Sequence, residues 1–118
     1  MNNHDALDLR DLKENLGDRP EVLTQLVEHL QTALPQALSD LRAAIATGDP
    51  ERVRRLAHGL KSPLGTFGAE QARRLAWQLE RIGASGDLSE AAEVMVPLAG
   101  EINRIINFFA QPDWRQQA

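Results

Sequence analysis

No cysteine occurs in the 118 residues. That absence excludes disulfides, thiol nucleophiles and thiolate metal sites together, and it fits a reducing compartment, for which the cytoplasm is the default. Long apolar runs are also missing: nothing approaches the roughly 18 continuous apolar residues of a membrane span. The opening MNNHDALDLR has neither the basic start nor the apolar run of a secretory signal, so the expectation is a soluble cytoplasmic chain without direct membrane contact. Positive charge is scarce. The formal net charge is -4, and Arg52, Arg54 and Arg55 are too few in such a chain to argue for nucleic acid. No Walker-type phosphate loop or kinase signature is present, which argues against a nucleotide site. His4, His29 and His58 lie on separate segments without clustered partners, so no metal site is expected, and His29 reads as a boundary residue flanking an apolar helix side. Runs of alternating or β-branched residues are missing too, which leaves little room for strands.

What is present is helical periodicity almost everywhere. With 42% apolar and 25% charged residues, the composition is that of an ordinary globular protein, and the length suits one domain over residues 1–118, with a core from about 7 to 110 and a polar tail over 111–118. A short first helix is expected from Leu7 to Leu16, capped by Gly17. A long second helix follows, with Asp18 or a neighbour as cap and Pro20 in its first turn. Its apolar side runs through Leu23, Leu26, Leu30, Ala33 or Leu34, Ala37 or Leu38, Leu41 and Ile45, and Gly48 ends it. Pro35 is expected to kink it or split it in two, because its ring removes a donor and crowds the preceding turn. Asp49 and Pro50 start a third helix, from about Glu51 to Thr66, with Val53, Leu56, Leu60, Leu64 and Phe67 inward. A fourth carries Ala72, Leu75, Ala76, Leu79 and Ile82 inward and is broken after Ile82 by GASGD. The last helix spaces Leu88, Ala91, Met95, Leu98, Ile102, Ile105 and Phe109 three and four residues apart, with bends expected at Pro97 and Gly100. The fold class that follows is all-α, an antiparallel four-helix bundle with a short additional N-terminal helix. In the tail QPDWRQQA, Trp114 either folds back onto the bundle or belongs to a disordered end.

Within the third helix, LAHGLKSPLGTFGA places His58 about 150° from the centre of the leucine face, at a helical step of 100° per residue. Its neighbours are Arg54 and Arg55 one turn before, Lys61 and Ser62 one turn after, and Gly65 two turns on; the nearest acid on this face is Glu51. A neutral imidazole has one ring nitrogen free as a nucleophile, and nearby Lys and Arg side chains would offset the charge of an attached phosphoryl group. Ser62 and Gly65 leave a shallow surface on which a partner's site can close. The same residues also fit an ordinary solvated basic face. Trp77 falls about 160° from the centre of its own helix's apolar face, beside Glu80, and is either a partner anchor or packing against a neighbouring helix.

The run AHGLKSPLGTFGA resembles the phosphorylation-site motif of histidine-containing phosphotransfer (HPt) domains: alanine before the histidine, leucine two after, lysine three after, then small residues and a closing Gly-Ala. LDLRDLKENLGDRPEVLTQLVEHL, LRAAIATGDPERVRRLAH and QARRLAWQLERIGASGDL resemble the helices around that motif, so the likeness covers nearly the whole chain to about Phe109. It implies that His58 is the phosphoacceptor, through the ring nitrogen farther from the backbone, and that Lys61 sits beside the phosphoryl group. It also implies that Glu80 approaches the histidine from the adjacent helix, accepting a hydrogen bond from the other nitrogen; a surface salt bridge to Arg73 or Arg81 is the alternative. Two departures are notable. Ser62 stands where a glycine is common, and Pro63 leaves the Gly59 carbonyl without its helical donor and is expected to bend the helix.

The resemblance implies a covalent phosphoryl carrier rather than an enzyme, taking a phosphoryl group from a receiver-domain aspartyl phosphate and passing it to another receiver aspartate. Implied partners are response-regulator receiver domains, those of a hybrid sensor kinase included. The carrier is expected as a monomer with no cofactor of its own, Mg²⁺ belonging to the receiver. Arg54, Arg55 and Trp77 are the candidate docking residues. The rival reading is a non-phosphorylated helical adaptor that binds a signalling protein through the His58/Trp77 face.

Overall fold

Each of the three turns that join the long helices carries one glycine in the left-handed region, with φ of 68° at Gly48, 65° at Gly68 and 81° at Gly86. Residues with a β-carbon resist that conformation, so these positions end one helix and reverse the chain into the next. In a computed structural model, which describes residues 7–117, the helices in chain order are α1 (Arg10–Leu16), α2 (Pro20–Ala46), α3 (Pro50–Thr66), α4 (Glu70–Ser85), α5 (Ala91–Ala110) and α6 (Trp114–Gln117). No strand occurs among the described residues, and His4 lies outside them.

The short turns make successive helices antiparallel. α2 packs on α3, α3 on α4, α4 on α5, and α5 returns to α2, which closes a four-helix bundle; α3 and α4 share the most extensive contact. The 27 residues of α2 span about 40 Å at 1.5 Å per residue and account for most of the 45 Å long axis. α1 rests on α2. The segment before it crosses the α3–α4 turn, where the Asp8 N–H donates to the Gly68 carbonyl at 3.0 Å.

The core is aliphatic with an aromatic end. Leu34, Leu41, Val53, Leu64, Leu79 and Leu98 are sealed from solvent, while Phe109 meets Phe67, Phe108 and Trp114 edge to face at centroid distances of 5.6, 5.2 and 5.1 Å. Trp114 therefore folds back onto the bundle, and Arg115 beside it hydrogen-bonds the Thr24 hydroxyl on α2. Of the two alternatives for the tail, the structure takes the packed one.

Several boundaries differ from the sequence reading, each for a local reason. Leu7 and Leu9 are buried in irregular chain before α1, which begins at Arg10. Gly17 has φ -61° and is not a left-handed cap. The cap position of α2 is Arg19, without a side-chain hydrogen bond, rather than Asp18, whereas Asp49 does cap α3 by accepting from the Arg52 N–H at 3.2 Å. Along α2, Val27 and Ala44 take buried places expected of Leu26 and Ile45, which lie half-buried on its flanks; a stripe this long drifts around the helix axis. Ala57 does the same for Leu56 on α3. Pro35, Pro63 and Pro97 all sit inside helices that run on past them, so the split expected at Pro35 does not occur: packing on neighbouring helices outweighs one missing backbone bond. α4 continues through Gly83 to Ser85 instead of breaking after Ile82, and Leu88 lies half-buried in the turn before α5.

Candidate functional site

The buried line Val53, Ala57, Leu60 and Leu64 sets the rotation of α3, and that rotation carries His58 outward, with its side chain 63% exposed. On α4, Leu79 points into the core, which turns the next residue, Glu80, toward α3. The two meet: Glu80 Oε2 lies 2.7 Å from His58 Nδ1. The other carboxylate oxygen, Oε1, lies 2.6 Å from Lys61 Nζ. Oε1 is shielded from water and has no directed hydrogen bond, so the ammonium charge of Lys61 compensates it.

One carboxylate thus bridges two residues that are one turn apart on the neighbouring helix. A carboxylate can only accept, so the neutral imidazole donates from Nδ1–H to Glu80, and the lone pair is left on Nε2, on the exposed side of the ring. The contact with Lys61 holds the Glu80 carboxyl below the usual carboxylate range; partial loss of water opposes this, and the His58 hydrogen bond adds to the lowering. Glu80 is accordingly an anion at neutral pH.

The remaining candidate residues lie on α3 and α4, the two helices that form this bridge. Arg54 is half-buried and held by Glu51 through contacts of 3.0 and 2.5 Å, and Arg55 is exposed. Ser62 and Gly65 are exposed, with no bulk between them and solvent. Arg73 binds Glu70 at 2.5 Å and Arg81 lies over the Trp77 ring at 4.9 Å, so neither takes Glu80, and the salt-bridge alternative for that residue is replaced by the bridge to α3. Trp77 is 44% exposed. Glu51, the acid nearest to His58 along its own helix face, is engaged with Arg54 instead of the imidazole.

Two features escaped the sequence reading. On the opposite flank of α3, a groove of about 250 Å³ runs along α2, floored by Leu30, Leu34 and Leu60 and edged by Ala33, Gly59 and Pro63. His29 stands at its rim, exposed, as a boundary residue. Small side chains at Ala33, Ala37 and Gly59 were the available signal, but only the pairing of α2 with α3 aligns them. The second is Gly83, read as part of a helix breaker and found buried inside α4.

A family model of the Hpt domain matches residues 21–108, a span that takes in α2, α3, α4 and most of α5. The chain belongs to the histidine-containing phosphotransfer family. This HPt domain is 36% identical over 90 residues to the sensor protein TorS of Escherichia coli (strain K12), a match that covers 75% of the chain but 10% of that protein's length. Its fold is that of the histidine-containing phosphotransfer protein B (HptB) of Pseudomonas aeruginosa PAO1, with a TM-score of 0.85, 22% identity, and coverage of 94% of this chain and 96% of the other. At that identity the likeness speaks for the fold alone. As an HPt domain the chain serves histidine phosphotransfer in a two-component phosphorelay. No helix among the described residues is long and apolar enough to cross a membrane.

Proposed function

We propose that His58 is the phosphoacceptor and that the domain shuttles a phosphoryl group between receiver-domain aspartates. The observation that carries this reading is the 2.7 Å contact of His58 Nδ1 with Glu80, which leaves Nε2 unprotonated and open to a partner. The Nε2 lone pair attacks the phosphorus of a receiver's aspartyl phosphate; an N–P bond forms as the acyl P–O bond breaks, and the receiver aspartate leaves as a carboxylate. The proton stays on Nδ1, so the phosphorylated ring is cationic and Glu80 balances it. The reverse sequence delivers the group to a second receiver.

Charge supports the same assignment. Lys61 and Arg54 bring cations to an anionic transfer in a chain whose net charge is -4, and neutralising the phosphoryl oxygens is the larger part of such catalysis. Ser62 and Gly65 leave room for the receiver's loops. Trp77 on the α4 side, and Arg55 with the apolar groove between α2 and α3 on the other, offer docking surface on both flanks of His58. The metal ion belongs to the receiver in this reading, and the domain is a carrier rather than an enzyme.

The test is intact-mass spectrometry of the chain after mixing with a phosphorylated receiver domain. One added phosphoryl mass, lost on acid treatment and absent in a folded His58→Gln variant, is the expected result. A phosphorylated His58→Gln protein would overturn the assignment of His58. Tight receiver binding that is indifferent to that substitution, without phosphoryl uptake, would favour the adaptor that uses the Trp77 face.

A further inference from the structure

α3 and α4 are pinned together one turn away from the His58–Glu80 bridge. A β-carbon at Gly83 would lie 2.6 Å from the Arg54 nitrogen, 2.7 Å from the Pro50 carbonyl oxygen and 2.9 Å from the Arg54 α-carbon. All three are backbone atoms, which cannot rotate away. Ordinary contact near 3.5 Å would require the helices to part by about 1 Å. The other glycine between the two helices, Gly65, is different: a β-carbon there would meet only the Arg73 side chain, at 3.4 Å, and that chain can give way.

The helices are antiparallel, so one turn forward from Arg54 on α3 is His58, and one turn back from Gly83 on α4 is Glu80. The bridge therefore inherits its width from the Gly83 contact. Glu80 has a short side chain and two fixed obligations, 2.7 Å to His58 and 2.6 Å to Lys61, and both cannot be kept if its backbone retreats. We propose that Gly83 is a positioning residue for phosphoryl transfer: by letting the α4 backbone touch the first turn of α3, it sets the separation at which Glu80 holds the His58 proton on Nδ1. This rests on the reading of His58 as phosphoacceptor. The residue acts through Glu80, not on the phosphoryl group.

The experiment combines two readouts on the full chain. Long-range ¹H–¹⁵N spectra of the imidazole report its tautomer without any phosphate, and uptake from a phosphorylated receiver reports transfer. In the unaltered protein the Nδ1–H tautomer is expected to dominate. Gly83→Ala should move His58 toward the Nε2–H form and slow uptake by about 10- to 100-fold, the usual scale for loss of a supporting hydrogen bond. Glu80→Asp, whose reach is shorter by about 1.5 Å, should do the same with no clash at the helix crossing, while Gly100→Ala on α5, where a β-carbon meets nothing within 4 Å, should change neither readout. In a Glu80→Ala background, adding Gly83→Ala should bring no further loss.

An unchanged tautomer and rate in Gly83→Ala would overturn the proposal, as would an equal fold-loss in both backgrounds, which would make the effect independent of Glu80. If Gly83→Ala does not fold, Glu80→Asp decides: loss of the tautomer bias supports a separation-limited bridge, and its retention overturns it. Absence of uptake by the unaltered protein would instead sink the carrier reading, and any role in transfer with it, whatever the tautomer spectra show.

Discussion

The Glu80 carboxylate couples charge and proton position at His58, and its pairing with Lys61 makes a direct prediction. Lys61→Ala removes the counter-charge for Glu80 Oε1 and a cation from the proposed acceptor site, so phosphoryl uptake should slow by about 10- to 100-fold, read as single-turnover rates against a phosphorylated receiver; an unchanged rate would remove Lys61 from the site. The lowered pKa of Glu80 also has a stability consequence. Its folded value lies below the ordinary 4.5, so the stabilisation is complete above that value and is lost as the pH falls through the folded value. Urea midpoints taken between about pH 3 and 6 should show this loss, and Glu80→Gln should lack that part of the acid dependence. The outward direction of His58 and the i+3 place of Lys61 were legible from periodicity. The acid that serves them was not: along the α3 face Glu51 was nearest, yet it is spent on Arg54, and Glu80, 22 residues away in sequence, was reached only through family resemblance.

At the scale of elements, α3 is the part that presents the histidine, and its start is set by Asp49. The side chain accepts from the Arg52 N–H, satisfying one of the donors a helix N-terminus leaves free. Asp49→Ala should lower global stability by about 1 kcal/mol, measured by urea unfolding. The His58 tautomer should persist, because the bridge lies two turns further on and is held by α4. A shift of the tautomer in that variant would mean that the first turn governs the site more than the helix crossing does. The turn chemistry of this helix was readable because Asp-Pro at a start and glycine at an end act on their own backbone. The split expected at Pro35 does not occur, for the complementary reason. Pro35 removes a donor from α2, but the cost is local and modest beside the burial of Leu30, Leu34 and Leu38 around it, so the helix continues where an isolated peptide would break.

For the whole molecule, the closed ring of four helices predicts that the core unfolds as a unit. Leu98 is fully buried on α5, and Leu98→Ala should cost about 2–5 kcal/mol in a single urea transition monitored by circular dichroism, with phosphoryl uptake by the folded fraction retained. A separate early transition of α5 would contradict one cooperative core. The sequence by itself determined the four long helices, their antiparallel order and the exposure of His58, because periodicity, caps and left-handed glycines act within a few residues of where they stand. Only the tertiary structure decided which turn of α4 faces which turn of α3, that α2 and α3 leave a groove beside Gly59, and that Trp114 returns to Phe109. Those outcomes depend on the separation and register of distant segments. Gly83 shows why they stay hidden: the local signal of a glycine is the same whether it ends a helix or lets a neighbouring backbone come close.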